Sequence, residues 1–424
     1  MPLRLWASKE PDNVRLLIVL TILSRVWTWT LISFSAWLLP LFDTSPKLVF
    51  GESVPPWTSA LLRWDAFHFS HVAEKGYVYE HEWAFFMGTP FMMRASAKLL
   101  SLFGERYPAT HWATLLQGGA LTAVLCDSTQ VLYHLSLHHL NSPSLAFLSS
   151  ALSLMPSSPV ALKFASYSEP YFTYLSYRGM LACTRSRWLM ASICFTFAGM
   201  FRSNGLTLCG FIVWGMLIEP FMDGRKHLLT PARMIYTVVL VALPLVPFIQ
   251  HNYTAYLTFC SSFERPEWCS QGMLPSIYSH VQSKYWNVGL LRYWTLQNLP
   301  NFAISLPVLL NVFTFCASYL GNVPGALFEI SWRRCTQERI PHKSPFLSPT
   351  LLPHTIHALA LTFILTLAAH TQIALRTLPS LPLTYWAAAR LLVEYPRWGK
   401  VWVTWSVVWG AISCVLWAVF LPPA

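Results

Sequence analysis

Charge is scarce in this chain. Aspartate, glutamate, lysine and arginine make up 11% of its 424 residues, while 54% are hydrophobic. Soluble globular domains carry about 25% charged residues, so an ordinary soluble protein is excluded. Among the nine cysteines there is no CxxC pair and no zinc-ligand spacing, and a cysteine inside an apolar segment is usually a small hydrophobe. No repeat with a period of about 20 to 50 residues and no Gly/Ser tract divides the chain, so 1–424 reads as one helical membrane domain. A net charge of +11 would suit nucleic acid. No basic patch interleaved with aromatics accompanies it, however, and no nucleic-acid partner is expected.

Long apolar runs are what the chain does have. A helix crosses the hydrocarbon with about 20 mainly apolar residues, and that rule marks about 10–11 transmembrane helices in an all-α polytopic membrane protein. They lie near 14–42, 111–133, 143–162, 169–184, 188–201, 206–222, 234–257, 299–320, 354–375, 381–394 and 400–421. The first is too long for the apolar core of a secretory signal, about 7 to 15 residues, and reads as a retained helix. With the N-terminus in the cytosol, Lys9, Arg15, Arg185, Arg187, Arg225, Lys226, Arg233, Arg333, Arg334, Arg339, Lys343, Arg397 and Lys400 all fall on the cytosolic side. Two large loops, 43–110 and 258–298, then face the other compartment, together with "YSEP" at 167–170, "FRSN" at 201–204 and Arg376.

Polar chemistry gathers on that second side. In the first loop, "WAFFMGTPFMMRASAKLLSLFG" reads as an amphipathic helix in the interface, with Trp83, Phe85 and Phe86 as anchors. The second loop is dense in Tyr and Trp, which settle at headgroup depth. Cys260 and Cys269 flank "SSFERPEW" there, and a disulfide between them fits an oxidising compartment such as the ER lumen.

Asp65, in "RWDAFHF", shares a helical face with His68 at i, i+3. A carboxylate beside a membrane is partly desolvated and becomes a stronger base. The alternative is a helix-capping aspartate paired with Arg63. His71, Glu80, His81 and Glu82 crowd the same stretch, without the closed spacing of a zinc site, so no metal is expected. Arg202 and Asn204 follow a short apolar helix. The arginine reads either as a phosphate ligand or as a helix-end residue snorkelling to water. His370, Gln372 and Arg376 are polar residues near another helix end. Arg25 and Asp127 sit inside expected spans, where charges normally face partners, and they read as a structural pair.

Four stretches carry a resemblance across nearly the whole chain. They are "RWDAFHFSHVAEKGYVYEHEWAFF" at 63–86, "FRSNG" at 201–205, "PSIYSHVQSKYWNVGLLRYWTLQNLPNF" at 275–302 and "HTQIALRTLPSLPLTYW" at 370–386. Together they resemble the GPI mannosyltransferase 2 family, with one departure, Met87 in "FFMG" where the family pattern has "FFPG". The resemblance implies a GT-C-type glycosyltransferase in the ER membrane, with its active site in the lumen. It implies transfer of mannose from dolichyl phosphate mannose to the first mannose of the GPI precursor, with inversion, forming an α-1,6 bond. Asp65 beside Trp64 becomes the expected base, and Arg202, Arg292 or Arg376 the expected partner of the donor phosphate. Trp64, His68, Glu80, His81, Trp286, Asn287, Asn204 and His370 join the expected substrate-binding set. The expected lipid partners are the donor, the acceptor and the ER membrane, and a small accessory membrane subunit is left open. The rival reading is a polytopic transporter or flippase, which predicts symmetric halves and a site at mid-membrane. A structural subunit without chemistry is the third.

Overall fold

The computed structural model describes residues 10–51, 53–104, 107–261, 265–270, 275–333 and 344–422. Of the basic loop residues counted above, Lys9, Arg334, Arg339 and Lys343 lie outside them. Every regular element among the described residues is helical and none is a strand. Among the described residues, six helices are long and apolar enough to cross a membrane: Glu10–Leu38, Ser203–Met222, Pro231–Phe259, Leu296–Asn322, Pro349–Leu367 and Pro396–Ala418. The chain is an all-α polytopic membrane protein.

Several other expected spans are broken into shorter helices. The first long helix, α1 (Glu10–Leu38), is followed by α2 (Asp65–Lys75) and α3 (Gly88–Ser101). The run at 111–133 becomes α4 (Trp112–Leu125) and α5 (Thr129–Leu140), and 143–162 becomes α6 (Pro143–Leu152) and α7 (Pro159–Lys163). The breaks have local causes. Asp127 Oδ1 accepts from Thr129 Oγ1 at 2.9 Å, a short-range bond that competes with the helix ladder. Pro156 and Pro159 interrupt the second run.

A hairpin of α8 (Glu169–Thr184) and α9 (Trp188–Gly199) follows. Only Arg185–Arg187 separate the two helices, so they run antiparallel. Gly179 lets them meet, since a Cβ there would lie 2.3 Å from the Phe195 ring. Next come the composite α10 (Ser203–Met222), α11 (Pro231–Phe259), α12 (Ile277–Trp286) and α13 (Leu299–Arg333). The expected span 354–375 is α14 (Leu352–Leu367) plus α15 (Thr371–Thr377), and α16 (Pro382–Glu394) and α17 (Pro396–Ala418) end the chain. The largest apolar core joins α5, α8, α9, α10, α13, α14 and α16, and a second packs α2 and α4 against the end of α17.

One expectation is corrected by the packing. Trp83 and Phe86 are each 3% exposed and so do not anchor in lipid. Trp83 stacks on Tyr77 and Phe86 on His251, with centroids 4.3 and 4.5 Å apart, and His251 Nε2 meets Trp83 O at 2.8 Å. The aromatic cluster is interior packing that holds the first loop against α11.

Candidate active site

Trp64 has φ 42°, a left-handed conformation uncommon for a bulky residue and concentrated at functional sites. The turn is held from both sides. Trp64 packs on Trp417 and Phe420 at 5.1 and 5.2 Å. Arg63, fully buried, donates to Trp417 O, Ser59 O, Leu62 O and Ala418 O at 2.7–3.0 Å. It therefore caps the last carbonyls of α17 and does not pair with Asp65, as the capping alternative required.

Asp65 reaches instead across 311 positions, where its Oδ2 accepts from Arg376 Nη2 at 2.7 Å. Arg376 Nε donates to Glu169 Oε1 at 2.8 Å, and the same oxygen accepts from Arg202 Nη1. Arg202 Nη2 continues to Thr377 Oγ1 at 3.0 Å and its Nε to Asn204 Oδ1 at 3.4 Å. The result is an alternating row: Asp65, Arg376, Glu169, Arg202. Two acids offset two bases, as burial demands. Arg376 lies over the Tyr167 ring at 4.8 Å, and Tyr167 Oη donates to Arg63 O at 2.8 Å. Burial alone would lower the Arg376 pKa, yet the charges of Asp65 and then Glu169 outweigh it and hold the guanidinium above its ordinary value.

The row is graded in exposure. The Asp65 side chain is 26% exposed and that of Glu169 1%. Asp65 Oδ1 has no partner among the described residues, so the acid at the mouth keeps one oxygen open. Glu169 was not singled out from sequence. Its signal was an acid in the "YSEP" of an acid-poor chain, and its position at the start of α8 disguised it as an ordinary first-turn acid.

Beside Asp65 lies a wall of rings. His68, one turn along α2, stacks on Phe85 at 4.6 Å and meets His81 and Trp286 edge-on at 5.2 and 6.3 Å. His81 in turn stacks on Tyr79 at 5.7 Å. Neither His68 nor His81 has a hydrogen-bond partner among the described residues. Burial pushes the His68 pKa down, against the pull of Asp65, and favours the neutral ring, which offers one donor and one acceptor. Asn204 Nδ2 is buried without a partner among the described residues, a further polar group left open.

Other expected residues have different occupations. Glu80 accepts from Trp268 Nε1, Lys284 Nζ and Tyr285 Oη at 2.8–3.0 Å, which ties the first loop to the second. Cys260 and Cys269 are joined in a disulfide beside Trp268. Asn287, at φ 50°, is the left-handed cap of α12, a common asparagine role. His370 Nε2 meets Trp286 O at 2.6 Å and its ring stacks on Tyr293 at 4.5 Å, which fixes Trp286. Arg292, exposed, donates to Ser283 Oγ at 2.8 Å and has no carboxylate partner among the described residues. Gly289 makes room for it, since a Cβ there would come within 2.7 Å of Arg292 Cδ. No group of three His, Cys, Asp or Glu among the described residues is placed to hold a metal ion.

The site therefore combines an accessible carboxylate, two open imidazoles and aromatic faces, an arrangement suited to accepting a proton from a hydroxyl. Comparison with known proteins agrees in kind. The profile of a family described as Mannosyltransferase (PIG-V) matches residues 13–424. A GPI mannosyltransferase 2 of Cryptococcus neoformans var. neoformans is 33% identical, over 96% of this chain and 98% of its own. A GPI alpha-1,6-mannosyltransferase 2 of Cricetulus griseus is 32% identical over 82% and 77%. A GPI mannosyltransferase 2 of Yarrowia lipolytica is 30% identical over 90% and 92%. No solved structure matches the chain at a significant level.

Proposed function

Because the chain belongs to the PIG-V mannosyltransferase family, we propose that it transfers mannose from dolichyl phosphate mannose to the first mannose of the GPI precursor. The bond formed is α-1,6. The relatives' names support the acceptor class and the linkage, and the open carboxylate at the head of the Asp65–Arg376–Glu169–Arg202 row is the observation that carries the chemistry.

Dolichyl phosphate mannose carries a β-linked sugar, so an α product means inversion in one displacement. Asp65 Oδ1 takes the proton of the acceptor 6-hydroxyl. The hydroxyl oxygen forms its bond to mannose C1, and the C1–O bond to phosphate breaks with its electron pair, releasing dolichyl phosphate. A glycosidase needs a second carboxyl to protonate its leaving group; a phosphate leaves as an anion and needs positive charge instead. Arg202 and Arg376 are already matched by Glu169 and Asp65. Arg292 is the arginine of the three free to meet the phosphate, and Ser283 and Gly289 set its position. Arg376 keeps Asp65 ionised and aimed, while His68 and His81 bind sugar hydroxyls beside the Trp286 face.

Both substrates keep their tails in the bilayer and present their sugars to the loops at one end of the bundle. We assign that end to the ER lumen and the N-terminus to the cytosol, since Arg185, Arg187 and Arg225 lie at the other end, with Thr184. The test supplies labelled donor and the singly mannosylated GPI lipid to microsomes from cells lacking the second GPI mannose. Expression of this chain should yield the doubly mannosylated lipid, cleavable by an α-1,6-specific mannosidase. A well-expressed chain that gives no such product overturns the reading.

A further inference from the structure

A cavity of about 830 Å³ opens at the end of the bundle opposite Asp65. Glu169 begins α8 and Thr184, on the cavity wall, ends it, so 16 residues of helix, about 24 Å, separate the two sites. Such a volume falls in the range of small-ligand sites, about 300 to 1,000 Å³. We propose that this cavity binds the headgroup of a zwitterionic membrane glycerophospholipid, with the phosphate on Arg233 and the ammonium on Glu219.

Four charged side chains line the cavity: Arg225, Arg233, Glu219 and Asp223. Arg225 and Asp223 pair with each other at 2.6 Å. Arg233 donates through Nε to Met216 O at 2.8 Å, while its two Nη groups have no partner among the described residues. The Glu219 carboxylate accepts no hydrogen bond among the described residues, and the charges nearest it are those of Asp223 and Arg225. Glu219 and Arg233 line the same cavity, so it offers one open guanidinium and one open carboxylate. An anionic lipid would satisfy Arg233 and repel Glu219. An uncharged one would leave both without a partner, whereas a headgroup carrying phosphate and ammonium meets both.

The walls fit the rest of a lipid. Trp214–Ile218 form a π-helical turn, a rare geometry found mostly at functional sites. There Gly215 lets the Trp188 indole lie against the backbone, since a Cβ would come within 2.2 Å of Trp188 Cη2. The inner wall holds Phe211 and His354, and His354 Nδ1 is buried without a partner. Next to the lining residues Trp188 and Pro220, Leu189, Met190, Phe221 and Met222 are exposed apolar side chains, a surface on which acyl chains lie. A water-soluble ligand would have no use for that surface.

The experiment uses the full-length protein in nanodiscs of equal parts phosphatidylethanolamine, phosphatidylcholine and phosphatidylglycerol, with the lipids retained per chain counted by native mass spectrometry. Wild type should retain one zwitterionic lipid over phosphatidylglycerol by about tenfold. Arg233→Gln should abolish retention, and Glu219→Gln should invert the preference toward phosphatidylglycerol, a change that unfolding cannot imitate. Retention without headgroup preference, a wild-type preference for phosphatidylglycerol, or an unaltered preference in Glu219→Gln would each overturn the proposal.

Discussion

Two of the charged clusters among the described residues of this apolar protein are built differently. The row at the candidate site has two acids and two arginines, every guanidinium on a carboxylate, and one oxygen of Asp65 left open. The other cluster holds Arg25, Asp127 and Lys163. Arg25 pairs with Asp127 at 3.5 Å and donates to the backbone carbonyl of Lys163, while Arg25 Nε and Lys163 Nζ are buried without partners among the described residues. Asp127 marks the break between α4 and α5, and Lys163 ends α7, so Arg25 serves backbone that the helix ladder has abandoned. The difference separates charge that holds broken helices from charge arranged so that an acid can react.

Substitutions can break that distinction. Asp65→Asn should reduce mannosyl transfer per folded molecule about 10³-fold, within the span of general-base effects, with a smaller loss of stability than the substitution of Glu169, since Arg376 still faces Glu169. Full activity in the Asp65→Asn protein would move the chemistry elsewhere. Glu169→Gln leaves Arg202 facing no acid and should lower stability by about 3–5 kcal/mol. Transfer per folded molecule should also fall about 10²-fold as Arg376 and Asp65 lose their aim. If only the folded fraction fell, the row would be no different in kind from the Arg25 cluster. Asp127→Asn should show the converse: a stability loss of about 2–3 kcal/mol, read by denaturant titration of the solubilised protein, with kcat of the folded protein within about twofold of wild type.

The comparison also explains what could be read in advance. Asp65 stood out because acids are rare in such a chain, and its i, i+3 spacing to His68 is a local property that survived folding. Arg25 and Asp127 were paired correctly because charges inside expected spans have few alternatives. The partner of Asp65 was different. Arg63 was two residues away and plausible, but it was drawn to the carbonyl ends of α17, and the true partner came from α15. Long-range pairing leaves no mark in a single sequence. Glu169 was hidden because "SEP" also describes an ordinary helix start. The helix pattern was legible where runs were uniformly apolar and blurred where Asp127, Pro156 and Pro159 interrupted them.

The smallest expected effect sharpens the boundary of the site itself. Glu80 was expected to bind sugar, yet it has Trp268, Lys284 and Tyr285 as donors. Its burial opposes ionisation, but the hydrogen bonds from Tyr285 and Lys284 and the nearby charge of Lys284 outweigh this and hold its pKa below the usual carboxylate range. A lowered pKa in the folded protein means that its contribution to joining the loops is complete above the ordinary carboxylate value. It is lost only as pH falls through the lower one. The link should therefore hold throughout neutral and mildly acidic pH. Glu80→Gln keeps the shape but loses the charge-assisted bonds, so KM for the lipid substrates should rise about threefold with kcat nearly unchanged. In wild type the same rise should emerge only as pH falls below the ordinary glutamate range. A large fall in kcat for Glu80→Gln would instead put Glu80 beside Asp65 among the reacting groups and extend the site into the second loop.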